Sequence, residues 1–481
     1  MFRHQGKGFS LKSLISVPIL LVLTAEAHAH GAERGLVMLL PTGFYQTGGA
    51  LAVLLSFLLL AVVPADWFEK GHGRFIRLAP SFSVPKVPLS CLSFIVLASC
   101  VLAGFIAPSD PLSNPLPLII WTGWWVGFTL LQVLTGNLWP WLNPWTGLVA
   151  VMRQVLRAGF GKRQYLGLPL CLGFTPAILQ FSAFAWFELG SLAPDDPPRL
   201  AMAIIIYWLV NFAGILLFGE RAWLDRAEPF SVFFRMIGMV SPFAILRAGT
   251  RDVLVCTWPG QRCLKAEPLP PSGVVFMLLT LATASFDGFS ETFTWLGFIG
   301  VNPLEFPGRS GVMFANTLGL AVSPVLLISL FYMATVAGAW LSGERQVAGF
   351  KTLSGRLVYS IIPISIAFHA AHYLTLLLVN GQYLLVMMSD PFALGWNLLG
   401  MSHWHVTTSF LQNIDDVRFI WMAQTAIIVI GHVVGIVLAH SIALDHFGGA
   451  GKTVVSQLLL AALMVFYTVF GLWLLSTPSV G

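Results

Sequence analysis

The residues best suited to chemistry in this 481-residue chain are histidines and carboxylates set among hydrophobic neighbours. His369 and His372 stand three positions apart inside one apolar run, so a helix places both on one face. Tyr373, Thr375, Asn380 and Gln382 follow them, and the next apolar run carries Gln424, His432 and His440. Imidazole serves as a metal ligand or a proton shuttle, which makes His369, His372 and His432 candidates for either task. His432 and His440 are about 12 Å apart along a helix axis and cannot share one ion. Interhelical hydrogen bonding by neutral histidines accounts for the same pattern equally well.

A second set falls near span ends. Asp287 and Glu291 lie in Ser285-Phe-Asp-Gly-Phe-Ser-Glu, Asp390 in Ser389-Asp-Pro-Phe, and two further histidines in His403-Trp-His405. Asp287 and Asp390 are candidate catalytic carboxylates, able to act as a base or to orient a ligand. His403 and His405 point to one side only in extended backbone, a spacing met in copper sites. His30 would join them if cleavage after Ala29 made it the mature terminus, offering imidazole and free amine together. The expected cofactor is therefore a divalent metal ion, copper or zinc.

That cleavage is itself an inference from pattern. Arg3, Lys7 and Lys12 precede an apolar run from Leu14 to Leu23, and Ala25-Glu-Ala27-His-Ala29 follows, the three-part form of a secretory signal over residues 1–29. Cleavage one step earlier would expose His28 instead. The whole chain is 57% hydrophobic and 10% charged, against about 25% charged in soluble domains. Its mean hydropathy is +0.81, so its main solvent is lipid.

Apolar runs of spanning length fall near 47–64, 88–107, 117–136, 167–191, 200–219, 273–290, 311–341, 357–380, 417–444 and 453–475. The expected fold is an all-α polytopic transmembrane bundle of about ten helices, a single domain over 30–481. Lys and Arg collect on alternate loops, leaving Arg34, Arg199, Arg309 and Arg418 on the other side, which puts both mature ends in the periplasm of a bacterial inner membrane. One apolar stretch, 229–248, stays on the inner side with Arg235 at its centre, and is expected to be an interfacial or re-entrant helix, because a mid-bilayer arginine costs at least about 2.5 kcal/mol.

Cys91, Cys100 and Cys171 lie in apolar runs and Cys256 and Cys263 in an inner loop, with no CxxC pair for zinc or redox work. Phosphate-binding glycine loops, a dinucleotide fingerprint and zinc-protease helices are missing, and nucleic acid is not an expected partner.

His30-Gly31, Ser285-Phe-Asp-Gly-Phe-Ser290, His369-Ala-Ala-His-Tyr373 with Gly381-Gln382, Ser389-Asp-Pro-Phe392 with Gly395-Trp396, Gly431-His432 and Ala439-His440 together give a chain that resembles the bacterial membrane proteins described as fenitrothion hydrolases. The resemblance implies hydrolysis of an apolar aryl phosphorothioate or phosphate triester at the membrane. A metal-bound hydroxide attacking phosphorus would suit the histidines. The competing expectation is a transporter or copper-handling protein, in which buried histidines relay protons or metal and no bond breaks. The expected partners are the lipid bilayer, an apolar small-molecule substrate and a second membrane subunit.

Overall fold

The computed structural model describes residues 37, 40–63, 75–78, 83–155, 166–248, 251–305, 308–392, 394–401 and 403–477. The proposed signal segment and His30 lie outside them.

Long apolar runs become helices because a segment in hydrocarbon must satisfy its own backbone N–H and C=O groups. In chain order the bundle is built from α1 (Thr42–Val62), α2 (Lys86–Ile106), α3 (Pro115–Thr135), α4 (Thr175–Gly190), α5 (Pro197–Phe218), α6 (Glu220–Arg226), α7 (Pro229–Ile237), α8 (Pro271–Ser290), α9 (Arg309–Leu341), α10 (Val347–His372), α11 (Leu374–Ser389), α12 (Ile414–Phe447) and α13 (Ala450–Ser476). Among the described residues nine of these, all but α4, α6, α7 and α11, are long and apolar enough to cross a membrane. Leu55, Leu58 and Leu59 on α1, Ile95 and Leu102 on α2, and Val322, Val325 and Leu326 on α9 face outward. Apolar surface on that scale belongs against lipid tails. The chain is an all-α polytopic membrane bundle.

Two runs depart from the expected spans. The 167–191 run gives only the 16 residues of α4, about 24 Å of helix against a core of about 30 Å. Pro169 and the turn through Gly173, at φ 49°, keep the preceding residues out of it. The 357–380 run does not form one helix either: α10 begins ten residues earlier and stops at His372, and α11 restarts at Leu374. The break falls at Tyr373, whose hydroxyl is held by polar partners described below.

The stretch 229–248 is also not one helix. Only Pro229–Ile237 is helical, and Phe243–Ala248 is a strand. It pairs antiparallel with Arg251–Cys256, which in turn pairs with Ile76–Arg77. Gly238 and Pro242 end the helix, and the Val- and Ile-containing segments beyond them suit a ladder better than a helix. The helical half turns into the bundle. Trp223 on α6 bonds Asn211 at 2.8 Å, the linking Glu228 meets the Tyr207 hydroxyl, and Arg235 on the returning α7 reaches Asp225 at 3.4 Å. Glu228 is fully buried and also accepts from Trp139 Nε1 at 3.2 Å and from the backbone N–H groups of Phe230 and Ser231, which caps α7. The arginine is thus paired, and the α6–α7 hairpin is pinned by its apex.

The inner helices are α8 and α10. Gly431 and Gly435 bring α12 onto α10. A Cβ at Gly431 would sit 2.4 Å from Ala367 Cβ, and one at Gly435 2.8 Å from the Ser360 carbonyl. Small residues four apart let two backbones approach in this way. Basic residues gather at one end of the bundle. Arg77 lies on the small sheet, Lys265 over Phe75, and Arg356 on Asp445 and the Leu264 carbonyl. Arg199 and Arg309 stand at the other end, where Arg309 donates to the Glu188 carbonyl at 2.8 Å.

Candidate functional site

Four helices meet at a polar network inside the bundle. Asp287 comes from the last turn of α8, Glu188 from the last turn of α4, His369 and His372 from the end of α10, and Trp125 from α3. Helix α3 is π-helical over Leu118–Phe128, a rare geometry that recurs at functional sites. Within it Trp125 contributes both its indole and its backbone carbonyl.

The Tyr373 hydroxyl is the hub. It lies 2.9 Å from Glu188 Oε1 and 2.9 Å from Asp287 Oδ2, and it accepts from Trp125 Nε1 at 3.3 Å. His372 Nε2 stands 2.8 Å from the same Asp287 oxygen. A phenol carries one hydrogen and two lone pairs. It can donate to one carboxylate only, so the other must bring a hydrogen of its own. Asp287 Oδ2 already faces two donors, which leaves Glu188 as the carboxyl that holds the second proton. Asp287 and Tyr373 are both buried.

His369 and His372 share a face as their spacing requires, and both rings meet the Tyr373 ring, at 4.9 and 4.7 Å. Their polar atoms diverge. His372 pairs with Asp287, while His369 Nε2 lies 3.1 Å from the Trp125 carbonyl and so donates to it. His432 is completely buried but joins neither: its Nδ1 donates to the Ile428 carbonyl at 2.9 Å and its ring packs on Phe368. The grouping of His369, His372 and His432 around one ion is therefore not the arrangement found. Among the described residues no three His, Cys, Asp or Glu side chains converge as a metal ion would require.

Asp390 has a local task instead of a place in the network. Its carboxylate accepts from the N–H groups of Leu394 and Gly395, at 2.9 and 2.8 Å, and shapes an exposed turn. His403 and His405 are exposed in the loop that follows α11, and His30 lies outside the described residues. Helix α8 runs on through Gly288, where a Cβ would stand 3.5 Å from His372 Nδ1, and Glu291 follows as its C-terminal cap.

Glu188, Tyr373 and Trp125 were not among the site residues expected from sequence. Glu188 carried a usable signal, an acidic residue within the apolar Phe184-Ala-Trp-Phe-Glu-Leu run. Trp125 gave none, since aromatic residues abound here.

Next to the network lies an internal cavity of about 20 Å³, on a measure where one water needs about 10–15 Å³. Trp125, Phe181 and Phe233 wall one side, and Asp287, Glu188, His369, Tyr373 and several hydroxyls the rest. It accommodates water and is far smaller than an aryl triester. No protein-family model, curated protein or solved structure matches this chain.

Proposed function

We propose that this chain is a proton-coupled membrane transporter whose proton-carrying group is the network of Glu188, Tyr373, Asp287 and His372. The observation that carries the reading is the proton count at one phenol: two carboxylates on a single hydroxyl require a carboxylic acid beside a carboxylate. A site so built can gain or lose one proton by moving hydrogens along existing bonds, with His372 as the group that exchanges charge with Asp287. Broken helical elements border it, the α6–α7 hairpin and the α10–α11 break. Transporters place such elements around their midplane sites. The basic loops mark the cytoplasmic end, with the chain ends periplasmic in a bacterial inner membrane.

Infrared spectra of the purified protein test this across the range where histidine pairs exchange protons, about pH 5 to pH 8. A carboxyl band that changes with pH and is lost in Glu188→Gln or Asp287→Asn is expected. Spectra in which no band assigned by these variants responds to pH overturn the reading.

A second reading, hydrolysis of an apolar phosphotriester as in the fenitrothion hydrolases, is favoured by the Asp287–His372 pair, since a carboxylate-oriented imidazole is a general base for water. Among the described residues the histidines do not converge on one ion. Release of nitrophenol from an aryl phosphorothioate, lost in His372→Ala, would replace the transporter reading with this one. Loss of that activity on chelation would restore the metal.

A further inference from the structure

We propose that the cavity beside the network is the inner half of a water-filled proton path, leading toward the basic end of the bundle and plugged there by Phe233 and Ile237. The proposal rests on the proton-network reading of the site and adds the route and its side of access.

Three hydroxyls carry the argument. Thr129 on α3, Thr283 on α8 and Ser365 on α10 are 1%, 4% and 7% exposed, and all line this one cavity. None of their oxygens has a hydrogen-bond partner in the protein. Thr335, Ser441 and Thr468 show the usual alternative, a bond at 2.8–2.9 Å to the carbonyl four residues before on their own helix. Thr122, Ser191, Ser323 and Thr425 are also unpartnered but stand outside the cavity lining, so what marks this place is that three such hydroxyls gather on it. Even Thr280, a neighbour on the cavity wall, bonds the Met277 carbonyl. Buried hydroxyls left unpaired by protein are served by water, and the cavity is of a size to hold it.

Their order along the helices gives the direction. Thr283 is four residues before Asp287, Ser365 four before His369, and Thr129 four after Trp125, so each lies about 6 Å from a site residue. On all three helices that step leads the same way, toward Pro271, Val347 and Thr135. The segments there lie by the basic loops: Leu269, two residues before α8, donates to the Gly355 carbonyl of α10, Arg356 to the Leu264 carbonyl, and Ser241 to the Leu134 carbonyl near the end of α3. Gln132, one turn beyond Thr129, is fully buried and its amide nitrogen is likewise unpartnered. Phe233 and Ile237 of the returning α7 form the remaining wall, and Phe233 packs on Trp125 with ring centres 5.7 Å apart. A proton crosses such a chain by exchange between hydroxyl and water oxygens and ends on a carboxylate of the network, with no net bond made or lost.

The test uses the full chain with its five native cysteines replaced by alanine and Thr283→Cys or Ser365→Cys introduced. Silver ion is added to right-side-out or inside-out vesicles, and thiols left unreacted are counted with a maleimide after denaturation. Protection from the basic-loop face alone is expected, made about tenfold faster by Phe233→Ala, the scale of one apolar contact removed from a barrier. Protection from the opposite face, from neither face, or equally at the lipid-facing control Val322→Cys overturns the path. Both cysteine variants must elute as single species, and Thr129→Cys gives an independent third position. The infrared titration separates the two ideas. Titration without protection overturns the path alone, and protection without titration overturns the network reading and with it the proton.

Discussion

At the level of single residues the chemistry turns on a hydroxyl that neither spacing nor composition singled out. Tyr373 joins two carboxylates, an indole and, through Asp287, a histidine. Tyr373→Phe keeps the ring and removes the hub, taking one partner each from Trp125 Nε1, Glu188 and Asp287. The expected cost is about 1–3 kcal/mol, read from denaturation of the purified protein. A double-mutant cycle with Trp125→Phe should show a smaller loss in the pair than the sum of the singles. The two aspartates named from sequence should behave differently. On the proposed proton-carrying role, Asp287→Asn, which removes the anionic partner of His372, should abolish pH-linked activity, whereas Asp390→Asn, which alters one exposed turn, should leave it near wild type. Equal effects of the two would show that the network is not the working site. His369 and His372 were legible because their spacing and setting are linear properties. Their different partners were not, because those lie on α3 and α8.

At the level of elements, the histidine-bearing α10 is held by close backbone contact with α12 and the cavity by the α6–α7 hairpin. Gly431→Val drives side-chain atoms into Ala367 and the Pro363 carbonyl, so α12 must move off α10. That variant should lose assembly in detergent, seen as aggregation on size-exclusion chromatography, while Gly381→Val, with room around it, should elute as wild type. Glu228→Ala removes the cap of α7 and the partner of Trp139 and Tyr207. The expected cost is about 2–3 kcal/mol, with faster proteolysis in the 219–241 segment. Glu228→Gln should recover much of it. Hydropathy marked the 229–248 stretch as unusual but misjudged its second half. A short apolar run fits helix or strand alike, and its strand partner at Arg251–Cys256 completes the choice.

For the whole molecule, charge and hydropathy make a sided prediction. A cysteine at Trp404 should react with an impermeant maleimide added outside cells, and one at Arg251 only after the membrane is opened. The opposite pattern would reverse the topology. An all-α membrane bundle, nearly all of its spans, and the loops that gather positive charge could be read along the chain. These follow from local quantities, the apolar length needed to cross hydrocarbon and the count of charges between such lengths. The tertiary structure alone decided which polar residues meet. Glu188, Asp287 and Tyr373 are separated by 99 and 86 positions, and their contact depends on how α4, α8 and α10 pack, on a break at Tyr373 and on a π-helical turn that aims Trp125 inward. No periodicity encodes those events, because they arise from the fit of helix surfaces to one another rather than from the solvent preference of any one helix.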